Sequence, residues 1–262
     1  LVILFVLIWL GELKKGSGIA QGIICHLVSI FNMKNRVQTA VEEVFSKMVE
    51  IRRHIHMFPE LSGQEKHTSE YIASILKEWN ISYIRNVGGY GIVAQIEGKD
   101  PDSVCGALRA DIDALPIQEK NEVTYKSQNP GVMHACGHDA HTAALLGAVY
   151  VLNSLKDSFI GRIKFFFQPS EEKFPGGAKL MIEEGVLENP KVDFVLGGHV
   201  LPTMDVGKAG VKSGMYMAST DEVYLTVKGK GGHAATPELL VDPIAIASEI
   251  VSSLQQVVSR KN

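Results

Sequence analysis

Between residues 92 and 200 the chain alternates short, strongly apolar runs with stretches of helical length, and this alternation narrows the architecture more than any other feature. The runs 92–96, 104–110, 162–168 and 192–200 have strand length and are rich in β-branched and aromatic residues. Residues 143–155 are apolar almost all round, which predicts a helix buried on several sides, and 177–187 reads as a further helix. Upstream, Val37, Val41, Val44, Phe45, Met48 and Ile51 recur at helical spacing and predict a helix over 36–57, ended by Pro59. A second helix is expected over about 62–79. Strands alternating with helices predict an α/β fold with a mainly parallel sheet.

Downstream the pattern changes. Residues 222–228 alternate, with Val223, Leu225 and Val227 on one face, and read as a strand. Asp242-Pro243 is a favourable N-cap and first-turn pair, opening a helix with Ile246, Ile250, Leu254 and Val257 on one stripe. These are the expected first elements of a second, smaller α+β domain.

A chain of 262 residues suffices for one large or two ordinary domains. The net charge is −3 and no Lys/Arg stripe is present, so nucleic acid is not an expected partner. Cys25, Cys105 and Cys136 are few, odd in number and scattered, which argues for a reducing, cytoplasmic setting. The apolar run 1–10 falls short of the ~20 residues that span a bilayer. It has neither a basic segment before it nor a small-residue cleavage site after it. No membrane association is expected, a tethering N-terminal segment being the alternative. The character turns amphipathic at Met33, so residues 1–32 are expected to be a non-native or upstream extension.

The chemistry concentrates in Met133-His134-Ala135-Cys136-Gly137-His138-Asp139-Ala140-His141. Thiolate, imidazole and carboxylate all ligate transition metals, and Gly137 lets Cys136 and His138 turn towards one ion. The competing reading is a loop in which Cys136 is a small buried filler. Three further groups decide between them. Asp111 and Asp113 follow the second predicted strand, Glu171 and Glu172 follow the third, and His199 ends the fourth. Sites in open α/β sheets form beyond the carboxyl ends of the strands, so these groups should meet the Cys136 loop at one edge. Asp139 is expected to cap the following helix, and His141 to support His138 by hydrogen bonding, a metal ligand on the same helix face being the alternative.

Seven motifs in order resemble the M20 metallopeptidase family, specifically its amidohydrolase branch (hippurate hydrolase, N-acyl-amino acid amidohydrolase, auxin-conjugate hydrolase). They are Arg52-Arg53-His54-Ile55-His56 with Pro59-Glu60-Leu61; Arg109-Ala110-Asp111-Ile112-Asp113-Ala114-Leu115-Pro116; the Cys136 loop; Gln168-Pro169-Ser170-Glu171-Glu172; Gly176-Gly177-Ala178; Gly198-His199; and Gly229-Lys230-Gly231-Gly232-His233 running on to Pro237. The resemblance implies a zinc-exopeptidase-like catalytic domain over 33–216 and the start of a lid or dimerisation domain over 217–262. It implies two divalent ions (Mn, Zn, Co or Ni) bridged by Cys136 and held by His138, Glu172 and His199. Glu171 corresponds to the catalytic base and Asp113 to a carboxylate orienting a ligand. His233 corresponds to a lid histidine that reaches the neighbouring active site in a homodimer and steadies the oxyanion. Family members continue well past Asn262 and supply another histidine ligand there, so the chain is expected to be C-terminally truncated, with activity belonging to the complete enzyme.

The implied reaction is metal-dependent hydrolysis of N-acyl amino acids. An M20-type dipeptidase or carboxypeptidase is the alternative, disfavoured because Cys136 stands where many M20 peptidases have aspartate. A non-catalytic metal-binding fragment is the other, disfavoured by Glu171, which has no ligand duty. A nucleobase deaminase would need H-x-E with P-C-x-x-C, and the sequence has neither.

Overall fold

The computed structural model describes residues 21–215, 217 and 223–259. The apolar run 1–10 lies outside them. The chain divides into two compact units, Leu1–Ala209 and Gly210–Asn262.

The first unit is a five-stranded mixed sheet with helices on both faces. Its strands are β1 (Ser82–Val87), β2 (Gly91–Glu97), β3 (Cys105–Asp111), β4 (Arg162–Gln168) and β5 (Phe194–Gly197), in the order β1-β2-β4-β3-β5. The α/β class expected from the sequence is the one observed. Parallel pairing belongs to the half formed by β4, β3 and β5, whereas β1 with β2 and β2 with β4 are antiparallel. Strand β1, which periodicity did not single out, forms a hairpin with β2 across Gly88-Gly89. Its alternate residues face solvent, so its apolar signal is diluted.

Side-chain alternation on β4 sets the layers. Ile163, Phe165 and Phe167 point into the larger core with Ile92, Ala94, Leu108 and Ala110, while Phe166 joins Ala107 and Met181 on the opposite face. Three helices serve the larger core: α1 (Gln21–Met57), α2 (Lys66–Glu78) and α3 (His138–Ser154). Helix α3 lies between α1 and the sheet, which is why its sequence is apolar all round. On the opposite face α4 (Gly177–Glu183) packs against β4. There Lys164, level with Phe166, donates its ammonium to the carbonyls of Val186, Glu188 and Pro190 at 2.7–3.0 Å. That supply of acceptors lets a charged side chain sit inside a buried strand.

Two expected boundaries moved. Helix α1 is already formed at Gln21, the first described residue, and runs unbroken through Met33, and α2 begins at Lys66, after a turn in which Glu60 takes the N–H groups of His67 and Thr68 at 3.1 and 2.7 Å.

In the second unit α5 (Pro243–Ser259) starts where Asp242 caps it, the Asp242 Oδ1 accepting from the N–H groups of Ile244 and Ala245 at 2.9 and 3.3 Å. The strand expected over 222–228 is not formed in the described residues 223–228. Alternation alone does not make a strand, because its N–H and C=O groups need a partner ladder. Among the described residues no helix is long and apolar enough to cross a membrane.

Phe165 is fully buried at the centre of the larger core. Phe165→Ala is expected to lower the unfolding free energy by about 3–5 kcal/mol, read as a shift in the urea midpoint.

Candidate metal centre

The carboxyl ends of β3, β4 and β5 lie along one rim because those strands run parallel. Asp111 closes β3, with Asp113 two residues on; Gln168 closes β4, and Glu171 and Glu172 sit in the turn beyond; Gly197 closes β5, with His199 two residues on. The fourth contributor is the loop entering α3. Gly137 holds φ +81°, and a Cβ there would stand 2.3 Å from the Val200 side chain. Only glycine fits this left-handed, crowded position, and it turns Cys136 and His138 to the same side.

His138 is the hub. Ligating atoms of Cys136, His138 and His199 lie within 4.8 Å of one another, as do those of His138, Glu171 and Glu172, and those of Asp111, His138 and His141. Cys136 Sγ is 3.4 Å from His199 Nε2. The imidazole of His138 is buried and held on one side, its Nδ1 lying 2.8 Å from the Asp113 carbonyl and 3.3 Å from Asp113 Oδ1. Its Nε2 is buried with no hydrogen-bond partner among the described residues, and the nearest charged atom is Glu172 Oε1 at 3.8 Å. A histidine held through one nitrogen by a backbone carbonyl, with its other nitrogen left bare, is the arrangement in which imidazole ligates a metal.

The acids at the rim sort by what faces them. Burial alone would push Asp113 up, but donors from His138, the Glu172 N–H and the Ser62 hydroxyl outweigh it and hold the carboxyl at about 2. The Ser62 and Glu172 donors sit at 2.7 and 2.9 Å. Asp111 is ion-paired with Arg109, yet burial raises it to about 7. Cys136 lacks such help: burial, then Glu172 and Glu171, push its thiol up to about 12. A thiolate is unfavourable among these carboxylates unless a cation joins it. Divalent cations invert that balance by deprotonating the thiol they bind. The donor set therefore fits a thiolate-, imidazole- and carboxylate-bound metal.

Two sequence expectations are corrected. Asp139 does not cap α3; Gly137 occupies the cap position without a side-chain bond, and Asp139 lies buried in the first turn. There its Oδ2 accepts from Arg52 Nε–H at 2.8 Å and meets His56 Nδ1 at 2.9 Å, while His56 Nε2 reaches Glu119 Oε1 at 3.2 Å. Those partners come from α1, so their charge pulls the side chain inward and away from the backbone N–H groups. His141 does not hydrogen-bond to His138. It stacks on that ring with centroids 4.9 Å apart, while its nitrogens meet the Gly198 carbonyl at 3.0 Å and the Asp111 backbone. Burial drives His141 down to about 3, so it is neutral. His233 lies in the second unit, in an exposed turn where its Nδ1 accepts the Ala235 N–H at 3.1 Å.

The profile described as Peptidase family M20/M25/M40 matches residues 107–261. The chain belongs to that family. It is 47% identical over 234 residues to the Bacillus subtilis (strain 168) protein YhaA, covering 89% of this chain and 58% of that protein. It is 42% identical over 227 residues to the N-acyl-L-amino acid amidohydrolase of Geobacillus stearothermophilus, covering 87% of this chain and 60% of the relative. Among solved structures, the Bacillus subtilis YXEP protein, described as a dinuclear metal-binding peptidase of the M20 family, superposes with a TM-score of 0.62 at 39% identity. That match covers 66% of this chain and 48% of the YXEP chain. The chain thus spans about three fifths of the length of its curated M20 relatives.

The Arg52–Asp139–His56–Glu119 network tethers the metal-loop helix to α1, and the sequence alone assigned no role to Arg52, His56 or Glu119 and only a capping role to Asp139. The available signal was Arg52 and His56 four apart, hence on one face of α1. Hydrogen bonding to Asp139, then Glu119, raises His56 above 6.5 against the opposing effect of burial. A raised histidine contributes stability that is complete below its unfolded pKa and is lost as pH climbs through the folded one. The stability gap between the parent and a His56→Gln variant is therefore expected to be full below the ordinary histidine pKa of about 6.5 and to shrink as pH rises through the raised folded-state pKa, measured by thermal melts in chelator; a gap that widens contradicts a charged His56.

Proposed function

We propose that the whole protein is a metal-dependent amidohydrolase that cleaves the amide bond of N-acyl amino acids. The observation that carries this reading is the bare, braced Nε2 of His138 with Cys136, His199, Glu171 and Glu172 gathered round it. Cys136, His138, Glu172 and His199 would hold two divalent ions, with manganese, zinc, cobalt or nickel suited to this mixed donor set. When bound, such ions make water acidic enough to deprotonate near neutral pH and polarise the scissile carbonyl.

The chain's own residues supply the remaining steps. Glu171 is exposed beside His138 and Glu172 and bonds to neither. Its carboxylate, without a hydrogen-bond partner among the described residues, takes the proton of the attacking water and delivers it to the leaving nitrogen, so one group serves as base and then as acid. Asp113 keeps the His138 ring oriented through Nδ1, so Nε2 stays aimed at the site.

The name of the Geobacillus relative supports an N-acyl amino acid as substrate. Cys136 in place of an aspartate supports the amidohydrolase branch over dipeptidases. We read residues 33–216 as the catalytic part and 217–262 as the beginning of a lid through which two subunits pair, with His233 steadying the developing oxyanion in the neighbouring site. The free thiols of Cys105 and Cys136 suit a reducing, cytoplasmic setting.

Hippurate, N-acetyl amino acids and dipeptides offered to the complete protein test the substrate class; turnover of dipeptides alone rejects it. Glu171→Ala is expected to keep its metal and lose about 10²–10⁴ in kcat, while Cys136→Ser loses metal by elemental analysis. Chelation is expected to abolish turnover and added Mn²⁺ to restore it. Mixing inactive His233→Ala and Glu171→Ala subunits is expected to recover part of the activity, because hybrid dimers contain one intact site.

A further inference from the structure

Ser170, immediately ahead of the two glutamates, holds a left-handed φ of +50°. A residue with a side chain is strained in that region and persists there only when its surroundings hold it. The holding contacts are specific. The Ser170 N–H donates to Glu65 Oε1 at 2.7 Å and its hydroxyl meets the same oxygen at 3.2 Å. Its carbonyl accepts the Gly177 N–H at 2.9 Å. A Cβ on Gly177 would stand 1.8 Å from the Pro169 carbonyl oxygen, so the turn closes directly on backbone. From the other side Asp113 takes the Glu172 N–H. Glu171 and Glu172 thus ride on a turn gripped by two buried carboxylates.

Asp113 belongs to the site already described, whereas Glu65 does not. It is fully buried, immediately before α2, and its second oxygen has no hydrogen-bond partner among the described residues. Packing alone gives no reason for a buried carboxylate there, since an apolar side chain of that size would fill the space without the desolvation penalty. What it provides is an acceptor at a fixed point under Ser170.

We propose that Glu65 is a positioning residue: by clamping the Ser170 backbone it sets where Glu171 and Glu172 present their carboxylates. The inference rests on reading Glu171 as the base and Glu172 as a metal ligand. The clamp acts through the backbone, so its removal misplaces the reacting groups without deleting any of them.

The test uses the complete, metal-loaded protein with three variants. Glu65→Gln keeps an oxygen facing Ser170 and removes the charge. Glu65→Met fills the volume without an acceptor, and Glu65→Asp keeps the charge but withdraws it by one methylene. Gln is expected within about threefold of the parent in kcat, whereas Met and Asp lose about tenfold to a hundredfold with KM changed less than about threefold. Co²⁺ affinity is expected to fall about tenfold in Met and Asp and to hold in Gln. Independently of metal and turnover, amide exchange at Ser170, Glu171 and Glu172 is expected to quicken at least about tenfold in Met and Asp but not in Gln.

If the Met variant fails to fold, the Asp variant decides. Parental kcat and exchange in a folded Met or Asp variant overturn the clamp, and so does a Gln variant as impaired as Met. A parent that hydrolyses no N-acyl amino acid defeats the proposed function instead, and amide exchange still decides the role of Glu65.

Discussion

Carboxylates crowded at one rim of a sheet repel each other and lose hydration as they are buried, and the first unit is built to contain that crowding. Asp111, Asp113, Glu171, Glu172 and the Cys136 thiol share a small region where three parallel strands end. The protein gives Asp113 three sets of donors and gives Asp111 an arginine. Cys136 receives neither, and burial, then Glu172 and Glu171, press its thiol towards the neutral form. Beside them the His138 Nε2 is buried without a hydrogen-bond partner among the described residues, and it has the chemistry to hold a cation.

That containment depends on backbone placed from several directions. The bend at Gly137 aims Cys136 and His138 together, and the Asp113 carbonyl and carboxylate brace the His138 ring. The turn at Ser170 is held in an unfavourable conformation between Asp113 and Glu65. The start of α3 is drawn to α1 through Arg52, His56 and Asp139. Each device fixes an orientation and supplies no ligand of its own. Metal and catalytic centres need this, because the reacting groups must be held close to one geometry before substrate arrives.

Local pattern and tertiary context divided the outcome along physical lines. Strand β4 and helix α3 were legible because burial on both faces leaves a near-continuous apolar run, and Asp242 was legible because capping is local chemistry. Strand β1 was hidden by its solvent-facing alternate residues, and the alternation over 222–228 did not become a strand in the described residues because pairing is a property of two segments. Asp139 looked like a cap and became the anchor of a buried ion network, because Arg52 and His56 lie far away in sequence and beside it in space.

By itself the sequence determined the composition and order of the candidate site: a thiol, imidazoles and carboxylates, each at the end of a run that must be a buried strand or the entrance to a buried helix. Those choices are local and follow from periodicity, glycine placement and donor chemistry. Only the tertiary structure decided that His138 stands at the centre with its Nε2 bare, that Ser170 needs Glu65 beneath it, and that His141 stacks on His138 instead of bonding to it. Hydrogen-bond partners separated by tens of residues leave no periodic mark in a chain, since what joins them is the packing of the sheet against its helices.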